Sequence, residues 1–161
     1  MTGKILIVAL CAAVGTFVGF AVLCSYRRNL EYLDGVCGLI SELKRNMAYR
    51  RDAAASVLAS YDTKNAHLKK NIGEYMAFVG AKDGKLDISR GFLPPRTHSG
   101  VCELFASLGG ADGGAQQREL EAFGASFEEL RAKAAQKSAK YGALAVKLGF
   151  LFGLGVGILT L

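Results

Sequence analysis

The chain has 161 residues, 51% of them hydrophobic, and its 20 Lys and Arg against 14 Asp and Glu leave a formal charge of +6. Its basic pairs, Arg27/Arg28, Lys44/Arg45, Arg50/Arg51 and Lys69/Lys70, are scattered and lack interleaved aromatics, which argues against nucleic acid as a partner. The apolar content is concentrated at the two ends, and what lies between is long enough for one small domain.

Ile5 to Cys24 carries no charge and at about 1.5 Å per residue extends about 30 Å, the thickness of a bilayer core. The run is longer than a signal-peptide core, and no small-x-small site with a polar stretch follows it. Leu10 before Cys11 and Leu23 before Cys24 do not fit a lipoprotein signal. Residues 1–26 therefore read as a retained anchor. At the other end, Leu148 to Leu161 reaches spanning length when extended back to Tyr141, at the cost of one charge, Lys147, whose ammonium can reach the interface. Residues 141–161 read as a second anchor and residues 27–140 as the domain between them. Arg27 and Arg28 flank the first anchor, and Arg131, Lys133, Lys137 and Lys140 approach the second, whereas only Lys4 lies outside. The positive-inside rule then places the middle domain in the cytoplasm and both termini across the membrane.

From Tyr26 the first anchor continues as an amphipathic helix, with Tyr26, Leu30, Leu33, Cys37, Ile40 and Met47 at mostly three- and four-residue steps and Val36, Leu39 and Leu43 widening the stripe. Asp52 suits the cap of a short helix carrying Val57, Leu58 and Tyr61. Asp62 or Thr63 suits the start of another, with Leu68, Ile72, Tyr75, Met76 and Val79 on one side. Between Gly80 and Gly100 the period fails at Gly84, Gly91 and Pro94-Pro95, predicting an irregular connection with a single helical turn. Val101, Phe105 and Leu108 predict a helix of about three turns ending at Gly109-Gly110. Asp112 then caps the last helix, where Leu120, Phe123, Phe127, Leu130, Ala134, Tyr141, Leu144, Leu148 and Leu151 hold one register, interrupted at Lys137. Domain and anchor should share one continuous rod of about 50 residues. The fold class is all-α, a helical bundle with N- and C-terminal membrane helices.

Residues that carry chemistry are sparse. His67 and His98 are far apart, without a carboxylate pair, Cys/His cluster or nucleophile motif around either, and read as surface residues. Gly80 to Lys85 falls short of the P-loop spacing and has no Ser or Thr after the lysine; Asp83 to Asp87 lacks calcium-loop spacing. The four cysteines, Cys11, Cys24, Cys37 and Cys102, form no close metal-binding pair and read as free thiols in a reducing compartment. No cofactor or metal is expected. The sharper signal is glycine spacing: Gly15 and Gly19 form a GxxxG in the first anchor, and Gly149, Gly153 and Gly157 form two overlapping ones in the second, a pattern that lets membrane helices approach closely.

The N-terminal anchor and helical middle, followed by Leu108-Gly109-x-x-Asp112-x-x-x-Gln116 opening a long helix that ends as Tyr141-x-x-Leu144 and a Gly/Leu-rich tail, resemble the stage III sporulation protein AB family. That family is similar to the cytoplasmic helical domain of type II secretion inner-membrane F proteins. The resemblance implies a non-catalytic scaffold in the channel between mother cell and forespore, coupling a membrane platform to a secretion-type ATPase. It also implies a location in the mother-cell membrane facing the forespore. Arg50 and Arg51 are candidates for the partner surface, Asp112 and Gln116 for structural roles, and the glycine faces for packing within a membrane assembly or a homo-oligomer. The alternative is a bacterial membrane adaptor or signalling subunit without catalytic activity.

Overall fold

A computed structural model describes residues 2–49, 54–81, 86–108 and 113–159, all helix, turn or irregular segment without a strand. The order is α1 (Thr2–Tyr49), α2 (Ala54–Ser60), α3 (Ala66–Gly80), α4 (Pro95–Ser107) and α5 (Gly113–Leu159). The chain forms two compact units, one of Met1–Leu30 with Ala132–Leu161, the other of Glu31–Arg131. Helices α1 and α5 each contribute to both.

The Glu31–Arg131 unit has a conventional apolar core. Helix α1 contributes Tyr32, Leu33, Val36, Leu39, Ile40 and Leu43, so its buried face is centred on the flank of the expected stripe, and Cys37 is only half-buried. Val57 and Leu58 of α2 are buried. Tyr61, one residue past α2, donates its hydroxyl to the Gly35 carbonyl at 2.9 Å. Gly35 and Gly38 make room for what lies against them: a Cβ would sit 2.8 Å from Leu68 Cδ2 at the first and 2.7 Å from the Tyr61 hydroxyl at the second.

Helix α3 is capped by Asn65, not by Asp62 or Thr63. The Asn65 side-chain oxygen accepts from the amides of His67 and Leu68, both at 3.1 Å, while Thr63 Oγ1 accepts from the Asn65 amide at 3.2 Å. Its buried face is Leu68, Asn71, Ile72 and Tyr75; Met76 is half-buried and Val79 is 50% exposed, contrary to the expected stripe. The buried Asn71 amide nitrogen donates to the Tyr32 hydroxyl at 2.8 Å while its Oδ1 has no partner among the described residues, and burial raises the Tyr32 hydroxyl's pKa. Tyr75 stacks on Phe105 of α4 with centroids 5.0 Å apart.

Of the stretch before α4, residues 86–94 are described, and they form an ordered strap. Ile88 and Leu93 are buried. The strap is tied to α3 by Glu74, whose carboxylate accepts from the Ser89 amide at 2.8 Å and from the Ser89 hydroxyl. Gly91 has a φ of +52°, and a Cβ there would lie 2.8 Å from His67 Nε2, so both conformation and space require glycine. Pro94-Pro95 does not merely interrupt: Pro95 is the first residue of α4, where a missing N–H costs nothing, and the helix starts several residues earlier than the apolar pattern suggests. Val101, Leu104 and Phe105 face inward, and from α5 come Leu120 and Phe127.

Two expected outcomes test this packing. Phe127 is 1% exposed, so Phe127→Ala should lower the unfolding free energy of the full chain by about 3–5 kcal/mol, whereas Phe123→Ala, at a half-buried position, should cost less. Denaturant titration in detergent measures both. For Glu74, partial burial pulls the carboxyl pKa up, but the Ser89 bonds and the nearby Lys70 outweigh it and hold the pKa below its ordinary value. A depressed folded-state pKa stabilises above the unfolded-state pKa, and the gain is lost as pH falls through the folded value. Stability should therefore decline as pH falls from the ordinary carboxylate range through the lower folded-state pKa, and Glu74→Gln should flatten part of that decline while lowering stability at neutral pH.

Candidate functional site

The unit of Met1–Leu30 and Ala132–Leu161 is a pair of antiparallel helical segments joined at their glycines. A Cβ on Gly15 would run into the Gly149 carbonyl and lie 3.0 Å from Gly153 Cα, and one on Gly149 would run into the Gly15 carbonyl. At Gly19 it would meet Val146 Cα at 2.8 Å, at Gly153 Ala12 Cα at 2.9 Å, and at Gly157 Val8 Cα at 2.9 Å. Every one of these obstacles is backbone, so the segments touch main chain to main chain. Gly142, which lies seven residues before Gly149 and escapes a GxxxG search, receives the Leu23 side chain, and Ala12 completes the inner face.

The outer surface of the pair is apolar. Phe17 is 73% exposed, Phe152 75% and Leu159 88%, and Leu6, Leu10, Val18, Leu148 and Leu151 are exposed as well. The expected α5 register is buried at Leu120, Phe127 and Ala134, but Tyr141, Leu144, Leu148 and Leu151 lie on the outside, and the glycines take over the inner face. Both helices contain stretches long and apolar enough to cross a membrane. Exposed apolar surface this continuous is foreign to a soluble monomer. On one side an open groove of about 900 Å³ runs between the segments, lined by residues such as Leu10, Val14, Val18, Leu148, Leu151 and Phe152.

Polar side chains in the Glu31–Arg131 unit are largely engaged in packing. His98 bonds the Ile88 carbonyl at 2.8 Å, with Cys102 Sγ at 3.6 Å from the same nitrogen, and His67 lies against Tyr32 and Phe92 with centroids 5.6 and 5.0 Å away. Both histidines are half-buried, a departure from the surface reading. Burial raises the Cys102 and Cys37 thiol pKa values, which favours inert thiols, and all four cysteines are unbridged. Of the resemblance motif, Leu108 and Gln116 come together: both are buried, and the Gln116 amide donates to the Leu108 carbonyl at 3.1 Å, satisfying an orphan group at the end of α4. Gly109, Asp112, Arg50 and Arg51, the proposed cap Asp52 and residues 82–85 of the rejected phosphate and calcium loops lie outside the described residues. Arg131 pairs with Asp34 from α1 on the surface of the same unit, an exposed contact of small energetic weight. Among the described residues no group of three or more His, Cys, Asp or Glu is placed to hold a metal.

Comparison with known proteins adds no relative: no protein-family model, curated protein or solved structure matches the chain.

The glycine contact has a direct chemical test. A Cβ on Gly157 would lie 3.4 Å from Cys11 Cβ, close to disulfide spacing. With Cys24, Cys37 and Cys102 replaced by Ser, Gly157→Cys should oxidise to an intramolecular disulfide with Cys11, read by alkylation mass shift. Adding Gly153→Leu, which must push away the backbone of Cys11 and Ala12, should cut the yield severalfold.

Proposed function

We propose that the protein is a two-span membrane scaffold without catalytic activity, its helical middle on the cytoplasmic side. The observation that carries this reading is the inverted terminal pair, with glycine and alanine inside and large apolar side chains outside, an arrangement suited to lipid rather than water. The crowding of Arg27, Arg28, Lys133, Lys137 and Lys140 at the inner ends of the two segments supports the orientation. The bonding of His98, Gln116 and Asn71 into the fold supports a scaffold over an enzyme.

The narrower reading comes from the resemblance to the stage III sporulation protein AB family. On it, the protein is a structural component of the mother cell/forespore channel in endospore formation and couples the membrane platform to a secretion-type ATPase. The helical middle, held at both ends by membrane segments, would receive the ATPase on its polar surface, for which Arg50 and Arg51 are candidates.

Site-specific photocrosslinking in sporulating cells tests the narrower reading. The expected result is a crosslink from the middle domain to a secretion-type ATPase and a loss of heat-resistant spores on deletion. Normal sporulation together with no ATPase adduct would leave the adaptor or signalling subunit instead. Orientation is tested separately by impermeant thiol reagents on intact cells, which should fail to label an exposed cysteine placed between residues 27 and 140.

A further inference from the structure

Every charged residue of the Met1–Leu30 and Ala132–Leu161 unit is basic. The antiparallel register brings several of these to one level. Leu23 lies against Gly142; five residues onward on α1 is Arg28, and five residues back on α5 is Lys137, with Lys140 on the next turn. Arg28, Lys137 and Lys140 are all exposed, and the Lys140 ammonium stands 5.5 Å over the Tyr141 ring, the residue type that settles at headgroup depth.

Helical periodicity links these charges to residues that line the apolar groove. On α5, Lys137, Lys140, Leu144, Leu148 and Leu151 recur at steps of three and four residues and so share a face, and Leu148 and Leu151 line the groove. On α1, Val14 lies fourteen residues from Arg28, about four turns along the same side, and it too lines the groove. Fourteen residues of helix rise about 21 Å, close to the distance from the headgroup level to the midplane of a bilayer. A phosphate held at Arg28, Lys137 and Lys140 would lay its acyl chain along this side and end it in the groove between Val14, Val18, Leu148 and Phe152.

We propose that this face is a binding site for one anionic phospholipid, its phosphate clamped by Arg28, Lys137 and Lys140 and one acyl chain seated in the groove. Charge decides the occupant. A zwitterionic lipid or an apolar helix from another protein or a second copy would fill the groove equally well, but neither gains as much from three cations at its mouth. Guanidinium and ammonium groups supply the forked and point-charge donors that a phosphate diester accepts.

The proposal rests on the membrane-spanning reading, and the experiment separates the two. Alkaline carbonate washing of membranes comes first: release of the protein would end the spanning reading and the lipid site with it. Retained protein is extracted in detergent, given equimolar phosphatidylglycerol and phosphatidylcholine, and examined by native mass spectrometry. The expected result is one retained phosphatidylglycerol per chain, preferred about tenfold or more over phosphatidylcholine. The triple variant Arg28→Gln, Lys137→Gln, Lys140→Gln should abolish the preference, and Lys137→Arg with Lys140→Arg should keep it. Val14→Trp, which fills the groove and leaves the charges intact, should lower retention severalfold. Equal retention of the two lipids by the unaltered chain, an unchanged preference in the triple variant, unchanged retention in Val14→Trp, or a dimer lost on groove filling would overturn the proposal while leaving the membrane reading in place.

Discussion

The contact on which the terminal pair depends is backbone against backbone, the Gly15 and Gly149 carbonyls each lying where the other's side chain would be. In lipid, burying apolar side chains between two helices gains little, because the surrounding chains are equally apolar. What remains is close van der Waals packing and the weak Cα–H to carbonyl attraction available only when backbones meet. Ala12, Gly15 and Gly19 on the first segment and Gly149, Gly153 and Gly157 on the second turn that weak attraction into a continuous seam. The seam also fixes the register, and the register decides which charges share a level at the ends.

The Glu31–Arg131 unit obeys the opposite rule. Its apolar residues face inward, and several polar groups taken inside are bonded: the Asn71 amide to Tyr32, Gln116 to the end of α4, His98 to Ile88, while Asn71 Oδ1 and His67 Nε2 are buried without a partner among the described residues. The strap of residues 86–94 owes its order to the same principle. It buries Ile88 and Leu93 but brings a backbone that needs partners, and Glu74 and an internal turn, with the Leu93 amide on the Arg90 carbonyl at 3.0 Å, supply some of them.

Much of this was legible because helical period survives in a single sequence. Leu68, Ile72 and Tyr75 on α3, the buried face of α4, the core role of Phe127 and the glycine spacing follow from residue types at steps of three and four, whereas Met76 and Val79 do not. What was not legible depends on partners distant in the chain. Tyr32, wholly buried, looks like an exposed polar aromatic until Asn71 arrives from another helix to meet its hydroxyl. Asp62, Thr63 and Asn65 are all good caps, and only the chain path into α3 selects the third. The register of α5 misled for a geometric reason: a seven-residue repeat drifts about 20° per heptad on a straight helix. A stripe that is inside at Leu120 and Phe127 has turned outward by Leu148 and Leu151, where the glycine face has replaced it.

The seam joins residues far apart in the chain, which has a consequence for biogenesis. Gly149 leaves the ribosome roughly 130 residues after Gly15, an interval on the order of ten seconds at ordinary elongation rates. On the membrane-spanning reading, during it the first segment would sit in the bilayer with its glycine face open to any neighbouring helix, while the core between is free to collapse by local contacts. Closure of the seam is therefore the late step, and a nascent chain halted before α5 presents a ready surface for promiscuous pairing, the kind of vulnerability that membrane quality control recognises.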